Sequence, residues 1–358
     1  MSGFYLASEY WDVHDGYAWL FDTESNYLFR ADFMKKSVSA ISSIPIERKY
    51  RYRTFSYIYE WNDEVYIFPD RASYVYIYNQ TSRTWNTISL EHTKDNRVRV
   101  IWCKTINSYL YFFSANMKCI MRINGETKKI DSRHYYLEDE NKIVDGDREV
   151  VTIDHFIYVH EYNKNKLYKI NFTELSEEIE YLPIIKTIKL ITYYNNSIWI
   201  YGDGRELYSF NVEKKDVKHV ASVNCNGEVA MLDNKEYEYS AMVGVNNGIL
   251  FISALQNSVI MYNINDNSTS EIKLPPEKRN IKNTEVLINP ITVNYVRNDR
   301  YVGIYLIKYR KYYEIDALEL KVEEIKYEFE DINKYFKDSG GLCYENETLN
   351  ICSFIHNL

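Results

Sequence analysis

The feature that most constrains the fold of this sequence is a strand phrase that recurs about every 41 to 54 residues, a spacing typical of repeat architectures. The phrase reads as a polar turn, an apolar strand, a short loop, a Tyr-rich strand ending in Asn or Asp, and a weaker strand. Its clearest copy runs from Asn62 to Leu90. A four-strand unit repeated at such a period is the mark of a β-propeller, in which sheets stack radially around a channel. The sequence therefore predicts an all-β fold.

Composition agrees with one repeat domain over residues 1–358. The chain holds 36 Tyr but only 12 Gly and 6 Pro. Tyr, Ile, Val and Phe suit half-buried strands, and few Gly and Pro argue against a disordered or linker-rich chain. Because each repeat packs only on its neighbours, a single repeat fold can absorb this length.

The strands of each unit can be labelled A to D in chain order, and seven third strands predict seven four-stranded blades, with eight as the alternative. Asn or Asp follows most third strands, where its side chain can bond back to the backbone of a tight turn. We expect the ring to be closed by strands from both ends, GFYLASEY at 3–10 and the hairpin at 340–354. The second strands centre on Trp19, Tyr66, Tyr111, Tyr158, Trp199, Leu250, Ile304 and Leu349.

Two segments, 172–182 and 331–338, have compositions that could also form helices. The first overlaps a predicted fourth strand. Neither helix would change the predicted fold.

The third and fourth strands resemble the kelch repeat. The resemblance lies in Tyr76, Tyr78, Asn79, Thr81 and Trp85. The family's paired glycines at the end of the second strand and its regular Trp are absent, and only the unit around Trp85 matches well. The resemblance implies a divergent kelch-type propeller, a fold that serves as a binding module in some members and acts on sugars in others.

Several function classes are disfavoured. A net charge of -8 opposes general nucleic-acid binding. The sequence has no apolar run of transmembrane length and no signal-peptide pattern at its start, so we expect a cytoplasmic protein without a membrane role. Five scattered Cys form no metal-binding pair. His155 and His160 bracket one strand, five residues apart, and face opposite sides. We therefore expect no cofactor and no metal.

One face of the propeller is the better candidate for a site. Successive strands run antiparallel, so the B–C and D–A loops share a face, and the long D–A loops at 43–53, 91–99, 131–149 and 275–290 fall there. Loops hold function while the scaffold holds shape. Arg and Tyr, which are enriched at binding hot spots, concentrate in these loops. The predicted binding residues are Tyr50, Arg51, Tyr52, Arg53, Arg71, Arg97, Arg133, Tyr135, Asp203, Arg205 and Arg310.

The sequence predicts a non-enzymatic recognition module that binds a protein or peptide of acidic character on this face. Its Arg side chains would clamp carboxylates, and its Tyr rings would supply contact area. The alternative is a carbohydrate-binding or sugar-modifying propeller, in which Asp203 beside Arg205 would contact the sugar. A third interpretation is that the Arg residues are solvated loop residues that lie over exposed Tyr rings.

Overall fold

The computed structural model describes fourteen ranges of the chain, which fall into two compact units. One unit lies within Met1–Arg97 and Ile325–Leu358, and the other within Val98–Glu324. The described ranges are 10–22, 26–46, 55–70, 73–90, 98–114, 118–135, 150–160, 164–182, 184–223, 230–232, 235–253, 258–275, 291–306 and 311–330.

The first unit contains two four-stranded antiparallel blades. A short strand from the C-terminal part of the chain pairs in parallel with the outer strand of the first blade. The first blade consists of β1 (Trp11–Val13), β2 (Tyr17–Asp22), β3 (Tyr27–Asp32) and β4 (Ser37–Ser43), and the second of β5 (Phe55–Trp61), β6 (Glu64–Pro69), β7 (Tyr74–Asn79) and β8 (Thr84–Ser89).

The second unit contains five more blades of the same order. Blade three is β9 (Val100–Ile106), β10 (Tyr109–Ser114), β11 (Cys119–Asn124) and β12 (Lys129–Tyr135), and blade four is β13 (Val151–Ile153), β14 (Phe156–His160), β15 (Lys166–Asn171) and β16 (Ser176–Tyr181). Blade five is β17 (Ile188–Tyr194), β18 (Ser197–Gly202), β19 (Glu206–Asn211) and β20 (Asp216–Ser222). A hairpin of β21 (Ala230–Leu232) and β22 (Lys235–Tyr237) precedes blade six, which is β23 (Tyr239–Val245), β24 (Gly248–Ser253), β25 (Ser258–Asn263) and β26 (Ser268–Lys273). Blade seven is β27 (Ile291–Arg297), β28 (Tyr301–Leu306), β29 (Lys311–Asp316) and β30 (Lys321–Ile325), after which β31 (Glu328–Glu330) joins the first blade.

The chain is a seven-bladed β-propeller, so the predicted fold and blade number are confirmed. Every predicted second-strand centre in the described part of the chain, from Trp19 to Ile304, lies in the second strand of a blade. Leu349 lies outside the described residues. The assignment of residues 1–358 to a single domain stays a prediction.

An Asx turn joins the third and fourth strands in all seven blades, as the sequence predicted. The Asn or Asp that ends each third strand accepts a hydrogen bond through Oδ1 from a backbone N–H two or three residues on, at 2.8 to 3.1 Å. These side chains accept hydrogen bonds from backbone N–H groups of the turn, which the sheet does not pair. They belong to Asp32, Asn79, Asn124, Asn171, Asn211, Asn263 and Asp316.

The apolar core consists of layers between neighbouring blades. In the first unit, Phe21 and Leu28 of blade one pack in the same cluster as Val65 and Ile67 of blade two. Corresponding clusters join blades three to four, four to five, five to six, and six to seven. Within each unit, alternating strand residues thus bury one face of a sheet against its neighbour, which is the packing a propeller requires.

The structure tests one of the two possible helices and part of the expected ring closure. The helix considered for 172–182 is wrong, because 172–175 form a turn and Ser176–Tyr181 form a strand that pairs with β15. In the described chain, a C-terminal contact with blade one is made by β31 through Phe329 opposite Val38. The hairpin at 340–354, the segment 331–338 and residues 3–9 lie outside the described residues.

Candidate functional site

The described residues include four of the eleven predicted binding residues, Arg133, Tyr135, Asp203 and Arg205. Successive strands of a blade are antiparallel, as blade five shows. The B–C loop and the start of the D–A connection therefore lie at the same end of the blade, as predicted. Among the predicted residues, Tyr50, Arg51, Tyr52, Arg53, Arg71, Arg97 and Arg310 lie outside the described residues.

Arg133 and Tyr135 belong to a strand and not to a loop, which corrects the predicted start of the 131–149 loop. The pairing of β12 with β11 shifts register between Arg122 and Ile123 and then continues, with Arg133 opposite Met121 and Tyr135 opposite Cys119. A bulge of this kind absorbs one extra residue and lets the ladder resume. The strand therefore extends further along the chain than its alternation pattern suggested.

The B–C loop of blade five is a tight turn that contains the predicted pair Asp203 and Arg205. It forms a single 3-10 turn, Asp203–Arg205. Gly204 and Arg205 are both left-handed, with φ of 71° and 67°. Gly202 approaches a neighbouring segment so closely that an added Cβ would lie 2.7 Å from the carbonyl oxygen of Thr187. The left-handed conformation is unfavourable for Arg, so the surroundings must hold it in place.

Glu238 and Val223 provide that support. Arg205 Nε donates to Glu238 Oε1 at 2.9 Å, and the Arg205 carbonyl accepts a hydrogen bond from Val223 N at 2.8 Å. The Glu238 side chain is 5% exposed, whereas that of Arg205 is 35% exposed. The buried carboxylate also accepts a hydrogen bond from the Tyr201 hydroxyl. A partly exposed guanidinium is thus fixed by a buried carboxylate.

An aromatic cluster lies beside this ion pair. The rings of Tyr201 and Tyr239 are 5.3 Å apart in an edge-to-face arrangement, and Phe251 lies 5.6 and 5.1 Å from them. All three rings are buried between blades five and six. Such packing excludes water and strengthens the charge pair next to it.

A second polar group fixes the start of β19. Glu206 accepts hydrogen bonds from the Ser222 hydroxyl at 3.0 Å and from the His219 ring. The hydrogen bond with His219, with a further contribution from Ser222, lowers the pKa of Glu206 below its usual value. The turn is therefore held to the last strand of its own blade as well as to Glu238.

Sequence reasoning found Asp203 and Arg205 but missed Glu238, Tyr201 and the β21–β22 hairpin. Glu238 lies in the run KEYEYS, where its alternation with Tyr resembles an exposed strand position. No local pattern indicates that this glutamate is buried. The burial of Glu238 is explained by its partner Arg205, a non-glycine residue with left-handed backbone. That conformation is visible only in the coordinates.

The described residues show neither a metal-binding cluster nor a membrane-spanning helix. They contain no group of three or more His, Cys, Asp or Glu side chains arranged to hold a metal. They also contain no helix with the length and apolar character needed to cross a membrane.

Comparison with known proteins shows the fold alone. No family model and no curated protein sequence matches this chain. Virginiamycin B lyase from Staphylococcus aureus is 12% identical, with a TM-score of 0.60, over 85% of this chain and 94% of that one. A streptogramin B lyase is 14% identical, with a TM-score of 0.58, over 90% of this chain and 94% of that one. A chain of the mitotic checkpoint complex is 11% identical, with a TM-score of 0.53, over 89% of this chain and 87% of that one.

Proposed function

We propose that this propeller is a non-enzymatic recognition module that binds a protein or peptide on the face formed by its B–C and D–A loops. The partner carries carboxylates, and Arg205 is one of the residues that contact it. The divergent kelch-type character of the repeats belongs to the same proposal, because kelch-type propellers include binding modules.

The observation that carries the proposal is the way Arg205 is held. Its side chain is 35% exposed, yet its Nε is fixed by a carboxylate that is almost wholly buried. A long side chain normally loses rotamer freedom when it binds a partner, and that loss weakens binding. A guanidinium that is already fixed avoids most of this cost, and Arg is the side chain best suited to a carboxylate.

A protein partner is also consistent with one structural relative. A chain with the same fold occurs in the mitotic checkpoint complex, an assembly of proteins. At 11% identity this relative supports the suitability of the fold and identifies no partner.

Carbohydrate recognition or modification is the second candidate, because Asp203 and Arg205 lie in the same rigid turn. A carboxylate and a guanidinium in one turn also suit hydroxyl-rich ligands. The two functions differ in their ligand, so one binding experiment separates them.

The experiment is a peptide-library selection on the immobilised protein, followed by hydrogen–deuterium exchange with the best peptide. We expect enrichment of Asp and Glu, and protection of the segments 202–206 and 235–239. A glycan array, probed with the same protein, is the parallel measurement for the second function.

The short turns on the other face serve as the internal control for the exchange measurement. Segments 195–196 and 246–247 should exchange equally with and without peptide. Protection confined to those turns would contradict the proposed face, and glycan binding without peptide enrichment would replace the proposed partner class.

A further inference from the structure

A polar cluster links the first two blades at the A–B turn of blade one, which is the end of that blade opposite to its own B–C loop. His14 lies in the turn between β1 and β2, and its Nε2 is 2.9 Å from Asp12 Oδ2 and 3.1 Å from Glu60 Oε2. Asp12 Oδ2 also accepts a hydrogen bond from the backbone N–H of Glu60 at 2.6 Å. One imidazole thus bridges a carboxylate of blade one and a carboxylate of blade two.

Neighbouring side chains complete the hydrogen bonding of this cluster. The Tyr17 hydroxyl donates to Glu60 Oε2 at 2.8 Å, and Gln80 donates to Glu60 Oε1. Burial, with help from Glu60, raises the pKa of Tyr17 to about 12, so this hydroxyl stays a donor. The His14 ring stacks on Tyr17 with centroids 4.9 Å apart, and the Arg30 guanidinium lies 4.1 Å from the Tyr17 centroid.

The balance of charge depends on His14. Among the described residues, the charged groups that face it are Asp12 on β1, Arg30 on β3 and Glu60 on β5, and the neighbouring Tyr17 hydroxyl on β2 is neutral. With protonated His14 the two carboxylates are matched by two cations. With neutral His14 one negative charge is left over in a half-buried position, where the exposed fractions of Asp12 and Glu60 are 15% and 14%.

We propose that His14 is a pH-sensitive clip that fastens blade one to blade two in its protonated form and loosens when it loses the proton. Both blades belong to one compact unit, and the clip requires no ligand. The clip is independent of the proposed recognition function, because none of its residues belongs to the Arg205 site.

The direction of the pH effect follows from the environment of the ring. The hydrogen bond with Asp12 and the charges of Asp12 and Glu60 raise the pKa of His14 above 6.5, against the opposite effects of burial and Arg30. A histidine whose pKa is higher in the folded chain stabilises the fold fully below its unfolded value of about 6.5. That stabilisation disappears as the pH rises through the folded pKa.

The first test is an NMR titration of the full protein with ¹³C-labelled histidine rings. The His14 signal is assigned as the one missing in His14→Gln, or, if that variant does not fold, as the one most shifted in Asp12→Asn. We expect His14 to titrate above pH 6.5 and its pKa to fall in Asp12→Asn. A His14 pKa at or below 6.5 in the unaltered protein would overturn the proposal.

The second test measures melting temperature against pH for the unaltered protein and His14→Gln. Their difference should be largest below pH 6.5 and should shrink as the pH rises. His155→Gln is the matched control, since His155 lies in the equivalent turn of blade four, and the pH-dependent stabilisation lost in His14→Gln should be retained in it. A constant difference between the unaltered protein and His14→Gln at all pH values would contradict the clip.

Discussion

Arg205 and Glu238 form an ion pair of unequal burial, with Nε and Oε1 2.9 Å apart and side chains that are 35% and 5% exposed. Glu238 is buried and needs the ion pair to compensate its charge, whereas water can reach Arg205. This inequality determines both the stability of the turn and the use of Arg205 as a recognition residue.

The first prediction is that Arg205→Ala is more destabilising than Glu238→Gln. Removing the Arg205 side chain leaves the buried Glu238 carboxylate without its cation, which typically lowers the unfolding free energy by about 3 kcal/mol. Glu238→Gln leaves a guanidinium that water can reach, so we expect a loss of about 1 kcal/mol. Urea unfolding of both variants at pH 7 measures the order, and a larger loss in Glu238→Gln would contradict the assigned burial.

The second prediction concerns the turn after β7. Asn79 Oδ1 accepts hydrogen bonds from the backbone N–H and the hydroxyl of Ser82, at 2.8 and 2.9 Å. Asn79→Ala removes both and should lower the unfolding free energy by about 1 kcal/mol. Asn79→Asp keeps the acceptor and is the matched control. Equal urea midpoints for the two variants would show that the Asx turn contributes nothing measurable.

The third prediction concerns acid stability. His160 is fully buried, with Nε2 3.2 Å from the Lys189 carbonyl oxygen, and burial lowers its pKa to about 4. A depressed folded pKa stabilises the protein above the unfolded value near 6.5 and loses that contribution as the pH falls from about 6.5 to about 4. The full effect is up to about 3 kcal/mol, at 1.36 kcal/mol for each pKa unit.

His160→Gln removes the titrating group and keeps a donor for the Lys189 carbonyl. Its unfolding free energy should therefore fall less between pH 6.5 and 4 than that of the unaltered protein. Parallel curves over this range would contradict a buried neutral His160.

The fourth prediction concerns the C-terminal strand. Glu328 N donates to the Lys36 carbonyl at 2.8 Å, Glu330 accepts from Ser39 Oγ at 2.9 Å, and Tyr327 lies against Trp11. Glu328→Pro removes the backbone donor and should destabilise the first unit by about 1 kcal/mol, besides exposing the edge of β4 to aggregation. Glu328→Ala keeps the donor, so identical melting and light-scattering curves for the two variants would show that β31 is a dispensable contact.

The sequence was sufficient for the fold because every blade repeats the same local signals. Tyr66, Trp199 and the other apolar centres mark second strands, and Asn79 and its counterparts mark the turn after each third strand. These signals act within a few residues, so they can be recognised without coordinates. Ambiguity arose at 172–182, where acidic helix-forming residues occupy an outer strand that pairs with β15. Pairing in the sheet overrides local preference there.

The candidate site was predictable only in part. The alternation of loop lengths indicated the face, and Asp203 and Arg205 lay in the expected loop. Their support could not be predicted, because Glu238 is 33 residues from Arg205 and its burial depends on the packing of blade five against blade six. The His14 cluster was missed for the same reason, since Glu60 reaches it from a neighbouring blade.

The recognition function rests on Arg205, and its most direct test is the affinity of a selected acidic peptide for three variants. Glu238→Gln retains the Arg205 guanidinium. The double variant Arg205→Ala/Glu238→Gln removes it and leaves no buried carboxylate without a partner. Arg300→Ala is the control, because it removes a 29% exposed, ion-paired Arg from the opposite face. Loss of a binding hot spot costs at least about 2 kcal/mol, or about 30-fold in Kd. We predict that loss in the double variant, measured by titration calorimetry, a smaller loss in Glu238→Gln, whose guanidinium is held less firmly, and an affinity close to that of the unaltered protein in Arg300→Ala. Normal peptide affinity in the folded double variant would contradict a role for Arg205 in recognition.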